Sequence, residues 1–538
     1  MVRKNAIFFI LDAMRYDVAS DPKAFEALAP NIARLASAGF VRKVCTNAQS
    51  TQFVMPSLFS LTYPLDFGGY NNGILDRPKS YVEVMREHGY RTIQFSTCNQ
   101  IGVSNGYQRG FDVVGMTSDY RTLLEQRISR GISYYLGLWQ EGEMTDAKIV
   151  SFLQRDFGLL LDSMVDALQK HDRSIWPPKL RRINQWIGDR CKTERHLLNT
   201  EPMIVAQKLK RVAAGLYWRY LGERTVPQWR LLPIRLIAGI GWRSRSWISQ
   251  QMLFPFLRLA HYQSIFGDVV QPIAQALRNM SHQPWMMHMH AMDTHDCRAI
   301  NRPLHVLGRL RFLPRWLRAR RMGLTKRRFL YDSALMYVDM HFGKLVDALR
   351  DSGMLEHTVI LITGDHGLQY AESPRKKTPL GERMHYEDIE VPLILFGADV
   401  PPSESKGFLD SRTVTASFLR AVGVEPHPSF VRATAFNDGL DVVISESCGH
   451  GAADLTRRDI YFGVTAKAHR MFGMLTGREF QVGKLYELAA DPKELTNVAA
   501  KPENKAVIAS LVRRLFEERR ELFQLRGINE PPLSPQIV

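Results

Sequence analysis

The chain has 538 residues, 45% of them hydrophobic and 23% charged, which excludes a disordered or fibrous protein and leaves room for a sizeable core. Its formal net charge of +17 is far from balanced; such an excess favours an anionic partner such as a phospholipid surface, a polyanionic glycan or nucleic acid, with a solvated basic surface as the plain alternative. Five widely spaced cysteines (Cys45, Cys98, Cys191, Cys297, Cys448) show no CxxC or Cys/His zinc spacing, so a disulfide framework and a local structural zinc site are not expected, and reduced thiols of a cytoplasmic protein fit best.

In chain order, Met1-Val-Arg-Lys leads without a small-residue cleavage site into the apolar run Ala6–Leu11, which reads as a core strand ending at Asp12. Asn31–Gly39 predicts a short helix closed by glycine, and Thr51 opens the stretch Thr51-Gln-Phe-Val-Met-Pro-Ser-Leu-Phe-Ser60. Tyr81–Gly89 repeats the helix-then-glycine pattern, and Tyr90–Ser96 is a strand. From about 120 to 280 the character changes to helical periodicity rich in tryptophan and arginine, as in Trp218-Arg-Tyr-Leu-Gly-Glu-Arg224 and Trp242-Arg-Ser-Arg-Ser-Trp247. The longest apolar stretch there, Leu231–Trp242, carries Arg235 and falls short of the roughly 18 residues of a membrane span. Arg298–Arg328, including Arg315-Trp-Leu-Arg-Ala-Arg-Arg321, has no acidic residue, a pattern that suits a membrane-surface helix, a nucleic-acid groove or a solvated helical cap. A long helix (Tyr331–Ser352), a strand (Val359–Ile362) and another strand (Val391–Phe396) then resume the alternation. The pattern predicts an α/β fold with a mostly parallel central sheet flanked by helices. Residues 1–119 and 281–440 would form one catalytic domain, 120–280 a basic helical insertion on its rim, and 441–538 a small C-terminal subdomain and tail.

Asp12 and the triplet Asp365-His366-Gly367 both follow apolar strand-like runs, and Thr51 supplies a hydroxyl. Acids and an imidazole at strand ends, with a hydroxyl to share an ion, are what metal-assisted ester cleavage needs. Their neighbours carry a resemblance. Phe9-Ile-Leu-Asp-Ala-Met-Arg-Tyr-Asp17, Ala29-Pro-Asn-Ile-Ala-Arg-Leu-Ala-Ser-Ala-Gly39, Tyr331-Asp-Ser-Ala-Leu-Met-Tyr-Val-Asp339, Thr358–Gly367 and Lys484-Leu-Tyr-Glu-Leu-Ala-Ala-Asp-Pro-Lys-Glu-Leu-Thr-Asn-Val498 resemble, in order, motifs of the sulfatase family of the alkaline phosphatase superfamily. The likeness runs from residue 5 to about 515 outside the insertion and implies an alkaline-phosphatase-like fold.

The chain departs from that family at the nucleophile. Setting Ser57-Leu-Phe-Ser60 against the sulfatase pattern puts Thr51 where a cysteine or serine becomes formylglycine and Met55 where arginine is usual. Threonine cannot become formylglycine, so Thr51 would act as a metal-activated alkoxide, as in the similar threonine-nucleophile branch of lipid A phosphoethanolamine transferases and lipoteichoic acid synthases. Ser50 is the fallback nucleophile, and a helix N-cap is the structural role open to Thr51. The resemblance implies a divalent metal on Asp12, Thr51, Asp365 and His366; the mixed donors favour Zn or Mn and leave Ca or Mg open. His288-Met-His290-Ala-Met-Asp-Thr-His295-Asp296 resembles a family strand end with Cys297 in place of proline. His295 would contact the transferred group or a second metal, while His290 reads as supporting or simply buried. His385 and Arg383, in Arg383-Met-His385-Tyr-Glu-Asp-Ile-Glu-Val-Pro392, match a segment that supplies oxyanion contacts. Ser445-Glu-Ser-Cys-Gly-His450-Gly451 reads as a loop without an assigned chemistry. The expected function is cleavage or transfer of a phospho- or sulfo-ester of an anionic, glycan- or lipid-linked substrate, in the cytoplasm or peripherally at the inner membrane face. A non-catalytic binder of membrane or nucleic acid is the alternative, with nucleic acid the weaker partner; a phosphoglycerate-mutase-like or nucleotide-cleaving enzyme fits the motifs less well.

Overall fold

The computed structural model describes residues 4–98, 101–171, 173, 176–226, 265–278, 283–297, 325–369, 382–397, 407–425, 427–430, 439–449, 451–532 and 536–537, with isolated helical residues between 233 and 244 and between 310 and 317. Most of the basic stretch Arg298–Arg328, most of Leu231–Trp247, and His450 lie outside the described residues.

The larger sheet contains β1 (Asn5–Leu11), β2 (Phe40–Cys45), β3 (Arg91–Ser96), β4 (Val113–Met116), β5 (Trp285–Ala291), β6 (Thr358–Thr363) and β7 (Glu390–Phe396), in the spatial order β2-β7-β6-β1-β5-β3-β4. β4, β3, β5, β1 and β6 run parallel. β7 is antiparallel to β6, and β2 to β7. A parallel β7 would need a crossover helix, and the described residues between β6 and β7 hold only one turn, Tyr386–Ile389. The expected mostly parallel sheet is therefore present, with a reversed strand at Val391–Phe396.

β1 lies at the centre, which explains its unbroken apolar run: both faces are covered. Successive side chains point to opposite faces. Phe9 stacks on Phe266 at 4.9 Å and on Phe342 at 5.1 Å, while Phe8 meets Phe418 edge-on at 5.0 Å on the other side. The helices that matter here are α1 (Pro30–Ala38), α2 (Thr51–Ser60), α3 (Lys326–Asp351), α4 (Ser411–Ala421) and α5 (Lys505–Glu518).

The helical segment after residue 119 is no loose appendage. Tyr120, Leu123, Leu124, Leu160 and Leu198 share one buried cluster with Phe9, Ile93 and Phe95 of the sheet. Helix Phe266–Arg278 packs on α3, so this end of the segment belongs to the layer over the sheet. The smaller sheet is β8 (Val442–Ser447), β9 (Ile460–Ala466), β10 (His469–Thr476), β11 (Glu479–Glu487) and the short β12 (Gln536–Ile537). β8 to β11 are antiparallel, and β12 lies parallel to β11.

Two of the sequence motifs meet at one carboxylate. α1 begins with Pro30 after Ala29, and that residue has no side chain to cap it. Asp339 of α3 caps it instead: its Oδ1 accepts from the Ile32 amide at 2.8 Å and its Oδ2 from the Asn31 side-chain amide at 2.9 Å. Asp339→Ala strands these buried donors, and we expect a loss of about 1–3 kcal/mol, read as a lower urea midpoint at unchanged slope.

Candidate metal and nucleophile centre

Past β1 the backbone turns sharply. Ala13 sits in the left-handed region at φ 61°, a strained conformation for a residue with a Cβ, and its surroundings hold it there. The Ala13 amide donates to Asp365 Oδ1 at 3.0 Å. The Tyr331 hydroxyl donates to the Ala13 carbonyl at 3.2 Å and accepts from the Arg15 amide at 3.3 Å. This turn leaves the Asp12 carboxylate fully buried where the carboxyl ends of β1, β5 and β6 converge, the edge at which open α/β sheets place ligands.

The nucleophile candidate arrives on α2. Ser50 is the N-cap and makes no side-chain cap bond, so Thr51 is the first helical residue and its hydroxyl is not spent on capping. Thr51 Oγ1 donates to Asp12 Oδ2 at 3.0 Å and lies 3.3 Å from His366 Nε2. Met55, at the position of the family arginine, is buried in the core. The loop entering α2 is strapped from afar. Asn47 Nδ2 donates to the Ile444 carbonyl at 2.9 Å and to Asp410 Oδ2 at 3.2 Å; the Ser445 hydroxyl donates to the Thr46 carbonyl at 2.5 Å, and the Glu446 amide to the Asn47 carbonyl at 2.8 Å. The Ser445–Gly451 run, which the sequence leaves without a chemistry, thus begins as the strap that holds this loop.

His366 Nδ1 faces the Gly367 carbonyl at 2.5 Å. That contact places the proton on Nδ1 and turns the Nε2 lone pair toward Thr51, Asp12 Oδ1 at 3.4 Å and Asp365 Oδ2 at 3.7 Å. Asp365 Oδ1 accepts from the Ala13 and His366 amides, but Asp365 Oδ2 and Asp12 Oδ1 are buried without a hydrogen bond. Unsatisfied carboxylate oxygens are costly in a protein interior. Here they converge with an imidazole lone pair and a hydroxyl, the donor set that a divalent cation completes. Burial pushes the Asp12 carboxyl up, but His295, His290 and His366 outweigh it and hold Asp12 well below the usual carboxylate range.

His295 has a side chain 33% exposed and stands edge-on to His366 with ring centroids 5.8 Å apart. Burial lowers its basicity, yet Asp12, Asp296 and Asp365 push it up to about 9. Potential ligand atoms of Asp12, His295 and His366 all lie within 4.8 Å of one another. His290 is closer to the centre than its reading as a supporting residue suggests: its Nε2 is 3.3 Å from Asp12 Oδ2. Cys98, absent from the predicted site, forms a second such group with Asp12 and His290. His288 is a core residue, bonded to the Tyr81 hydroxyl at 2.7 Å and driven well below its ordinary pKa by burial.

His385 is fully buried at the N-cap of the Tyr386–Ile389 turn. Its Nδ1 meets Glu494 Oε2 at 2.5 Å, and its ring lies edge-on to Phe472 at 4.7 Å. Glu494, itself at φ 54°, also accepts from the Tyr386 amide at 3.1 Å and pairs with Arg470. Half-buried Arg383 lies two residues upstream. The Gly367 amide donates to the Asp388 carbonyl at 2.7 Å, which sets this whole segment beside the Asp365-His366-Gly367 triplet. The structure therefore gathers Asp12, Thr51, Asp365, His366 and His295 at one point, and carries His385 and Arg383 on the adjoining segment.

Residues 250–424 match the Sulfatase family model. A choline-sulfatase of Rhizobium meliloti is 25% identical over 197 residues, covering 35% of this chain and 36% of its own length. The matched stretches span 15% and 36% of the curated relatives. Among solved structures, the phosphonate monoester hydrolase of Agrobacterium radiobacter superposes with a TM-score of 0.53 at 13% identity, covering 97% of this chain and 96% of that one. A candidate sulfatase from Bacteroides fragilis gives 0.54 at 11% identity, covering 98% of each chain. At these identities the likeness establishes the fold, a mostly parallel sheet between helical layers.

If the orphaned carboxylate oxygens await a cation, Mn or Zn raises the melting temperature of the metal-free chain by several degrees, a ligand at 100 times its Kd being worth about 2.7 kcal/mol. Asp12→Asn abolishes that rise in a thermal-shift titration; a rise that survives the substitution removes Asp12 from the ligand set.

Proposed function

We propose that this sulfatase-type chain of the alkaline phosphatase superfamily is a divalent-metal-dependent enzyme that cleaves a phospho- or sulfo-ester through Thr51. The observation that carries the reading is the buried Thr51 hydroxyl, 3.0 Å from Asp12 and flanked by carboxylate oxygens that no donor among the described residues satisfies. Asp12, Thr51, Asp365 and His366 would hold the cation, with Zn or Mn suited to the mixed donors. When bound, such a cation supplies Lewis-acid stabilisation of an alkoxide and of the ester oxygens.

The remaining work belongs to the chain. Asp12 Oδ2 accepts a hydrogen bond from the Thr51 hydroxyl and so orients Oγ1. Thr51 stands at the N-terminus of a ten-residue helix, where free backbone amides and the positive end of the dipole favour an anionic ester. His295, edge-on to His366 at the same point, would offer a ring N–H to the transferred group. His385, with Nδ1 facing Glu494, would offer Nε2 to an oxyanion, and Arg383, two residues upstream, would share that role by clamping non-bridging oxygens.

The residue chemistry leans toward a phosphoester. A phosphorylated threonine can be cleared by water or an acceptor alcohol, whereas a sulfated threonine lacks the elimination route of an aldehyde hydrate. The phosphonate monoester hydrolase among the structural neighbours agrees with that leaning. The net charge of +17 suits an anionic, glycan- or lipid-linked substrate, met in the cytoplasm or at the inner membrane face. No helix among the described residues is long and apolar enough to cross a membrane. A purely binding role gives no reason to keep a buried hydroxyl between a carboxylate and an imidazole.

The test is turnover of p-nitrophenyl phosphate, a matching diester and p-nitrophenyl sulfate, metal-free and with Mn or Zn. We expect metal-dependent phosphoester cleavage, reduced by at least about 10³-fold in Thr51→Ala and partly retained in Thr51→Ser. Cleavage indifferent to Thr51→Ala would overturn the assignment.

A further inference from the structure

We infer that Arg127, with Arg130 and Gln52 beside it, forms a recess for a second anionic group of the substrate, so that the ester cleaved at Thr51 belongs to a molecule carrying another phosphate, sulfate or carboxylate. The inference rests on the reading that the scissile ester binds at the Thr51 centre. The recess is walled by Gln52 of α2, by Asn71 and Asn105, and by Gln126, Arg127 and Arg130 from the helical segment after residue 119. Its polar lining is amide and guanidinium, and no carboxylate among the described residues lines it. It has about 30 Å³ of free space for oxygen-sized atoms, room for one oxyanion rather than a whole sugar. The helix Tyr120–Arg127 widens at its end into a π-helical turn, Ile128–Ile132, an uncommon geometry that recurs at functional sites. Arg127 stands just before that turn and Arg130 within it. Gln52 directly follows Thr51, and successive side chains on a helix diverge by about 100°. While Thr51 faces Asp12, Gln52 therefore turns to the recess, where its Oε1 accepts from Arg130 Nη1 at 3.3 Å.

The charge on Arg127 has no counter-ion. Its Nη1 donates to the Asn71 carbonyl at 2.5 Å, and no carboxylate among the described residues pairs with it. Burial lowers its pKa, and Asp156 offsets this only in part. The buried arginines elsewhere are spent: Arg412 holds Asp410, Arg470 holds Glu390 and Glu494, and Arg519 holds Glu446 and Asp66. Arg77, which also lacks an ion pair, donates to the Gly73, Tyr63, Pro64, Asp66 and Gly69 carbonyls and to the Thr62 hydroxyl. Arg127 makes a single bond and turns the rest of its fork to the recess. A partly desolvated guanidinium kept without an anion is costly, and its planar fork matches two oxygens of a phosphate, sulfate or carboxylate.

The experiment is calorimetric binding to the zinc-loaded full chain, with no turnover read. The probes are alkylphosphonates, whose carbon–phosphorus bond offers no ester to cleave, and α,ω-alkylene bisphosphonates of two to six carbons. We expect one bisphosphonate length to bind wild type about 10- to 100-fold more tightly than the alkylphosphonate of the same length, the range for hydrogen bonds between charged groups. Arg127→Gln should remove that gain and leave alkylphosphonate affinity unchanged, Arg127→Lys should keep part of it, and Arg130→Gln should reduce it. The absence of any length with a gain beyond the statistical factor of two, or a gain that survives Arg127→Gln, overturns the subsite. Binding of inorganic phosphate that Arg127→Gln weakens, with no gain for any bisphosphonate, makes the recess a free-anion site and overturns it equally. Should Arg127→Gln fail to fold, the wild-type length dependence and Arg130→Gln decide, and a gain untouched by Arg130→Gln then overturns the subsite. A chain that shows the gain and cleaves no ester sustains this subsite while overturning the Thr51 mechanism; Thr51-dependent turnover of p-nitrophenyl phosphate without the gain does the reverse.

Discussion

The Asp12 carboxylate is the group around which the centre is built. It is fully buried, and its charge is tolerated because His295, His290 and His366 face it and the Thr51 hydroxyl donates to it. Removing any of these neighbours leaves a carboxylate in a low-dielectric interior with less to balance it, an expensive state. The position of Asp12 depends in turn on the central strand and on the left-handed turn at Ala13, braced by Tyr331 and Asp365. Core packing, backbone strain and site electrostatics therefore meet within a few residues.

The two sheets are joined by charge rather than by a greasy seam alone. Arg470, fully buried on β10, pairs with Glu390 at the start of β7 and with Glu494, and Glu494 in turn holds His385. Glu446 on β8 accepts from Arg519 through both oxygens and from the Leu65 amide just beyond α2. Buried pairs of this kind are modest contributors to net stability but strongly directional. They tie the smaller sheet to the start of β7 and, through Glu494 and His385, to the segment that lies beside His366.

Much of the fold was legible because its signals are local or periodic. The run Ala6–Leu11, the helix ending at Gly39 and the strand leading to Asp365 all appear where apolar pattern and glycine placed them. Asp12, Thr51, Asp365 and His366 were legible because each sits at the end of such an element. Cys98 was not: it is a ligand candidate only through the register of β3 on β5, and no spacing along the chain reports that pairing. The reversed sense of β7 escaped for a similar reason, since a buried strand reads alike in either direction. The insertion looked like a rim feature from its tryptophans and arginines, whereas its leucines join the sheet core. For His385, sequence likeness pointed to the site segment but could not show that Glu494, more than a hundred residues later, takes its Nδ1.

The strap on the loop before Thr51 has a consequence in time as well as in space. Thr51 is made in the first tenth of the chain, yet Asp410, Ile444, Ser445 and Glu446, which pin the residues just before it, are made far later, and Arg519, which secures Glu446, later still. Contacts of such long separation form slowly and only once both partners exist. A ribosome-bound chain that has exposed Thr51 and even Asp365 thus lacks the geometry described above, and the Thr51 hydroxyl stays unaimed until the smaller sheet closes over the loop.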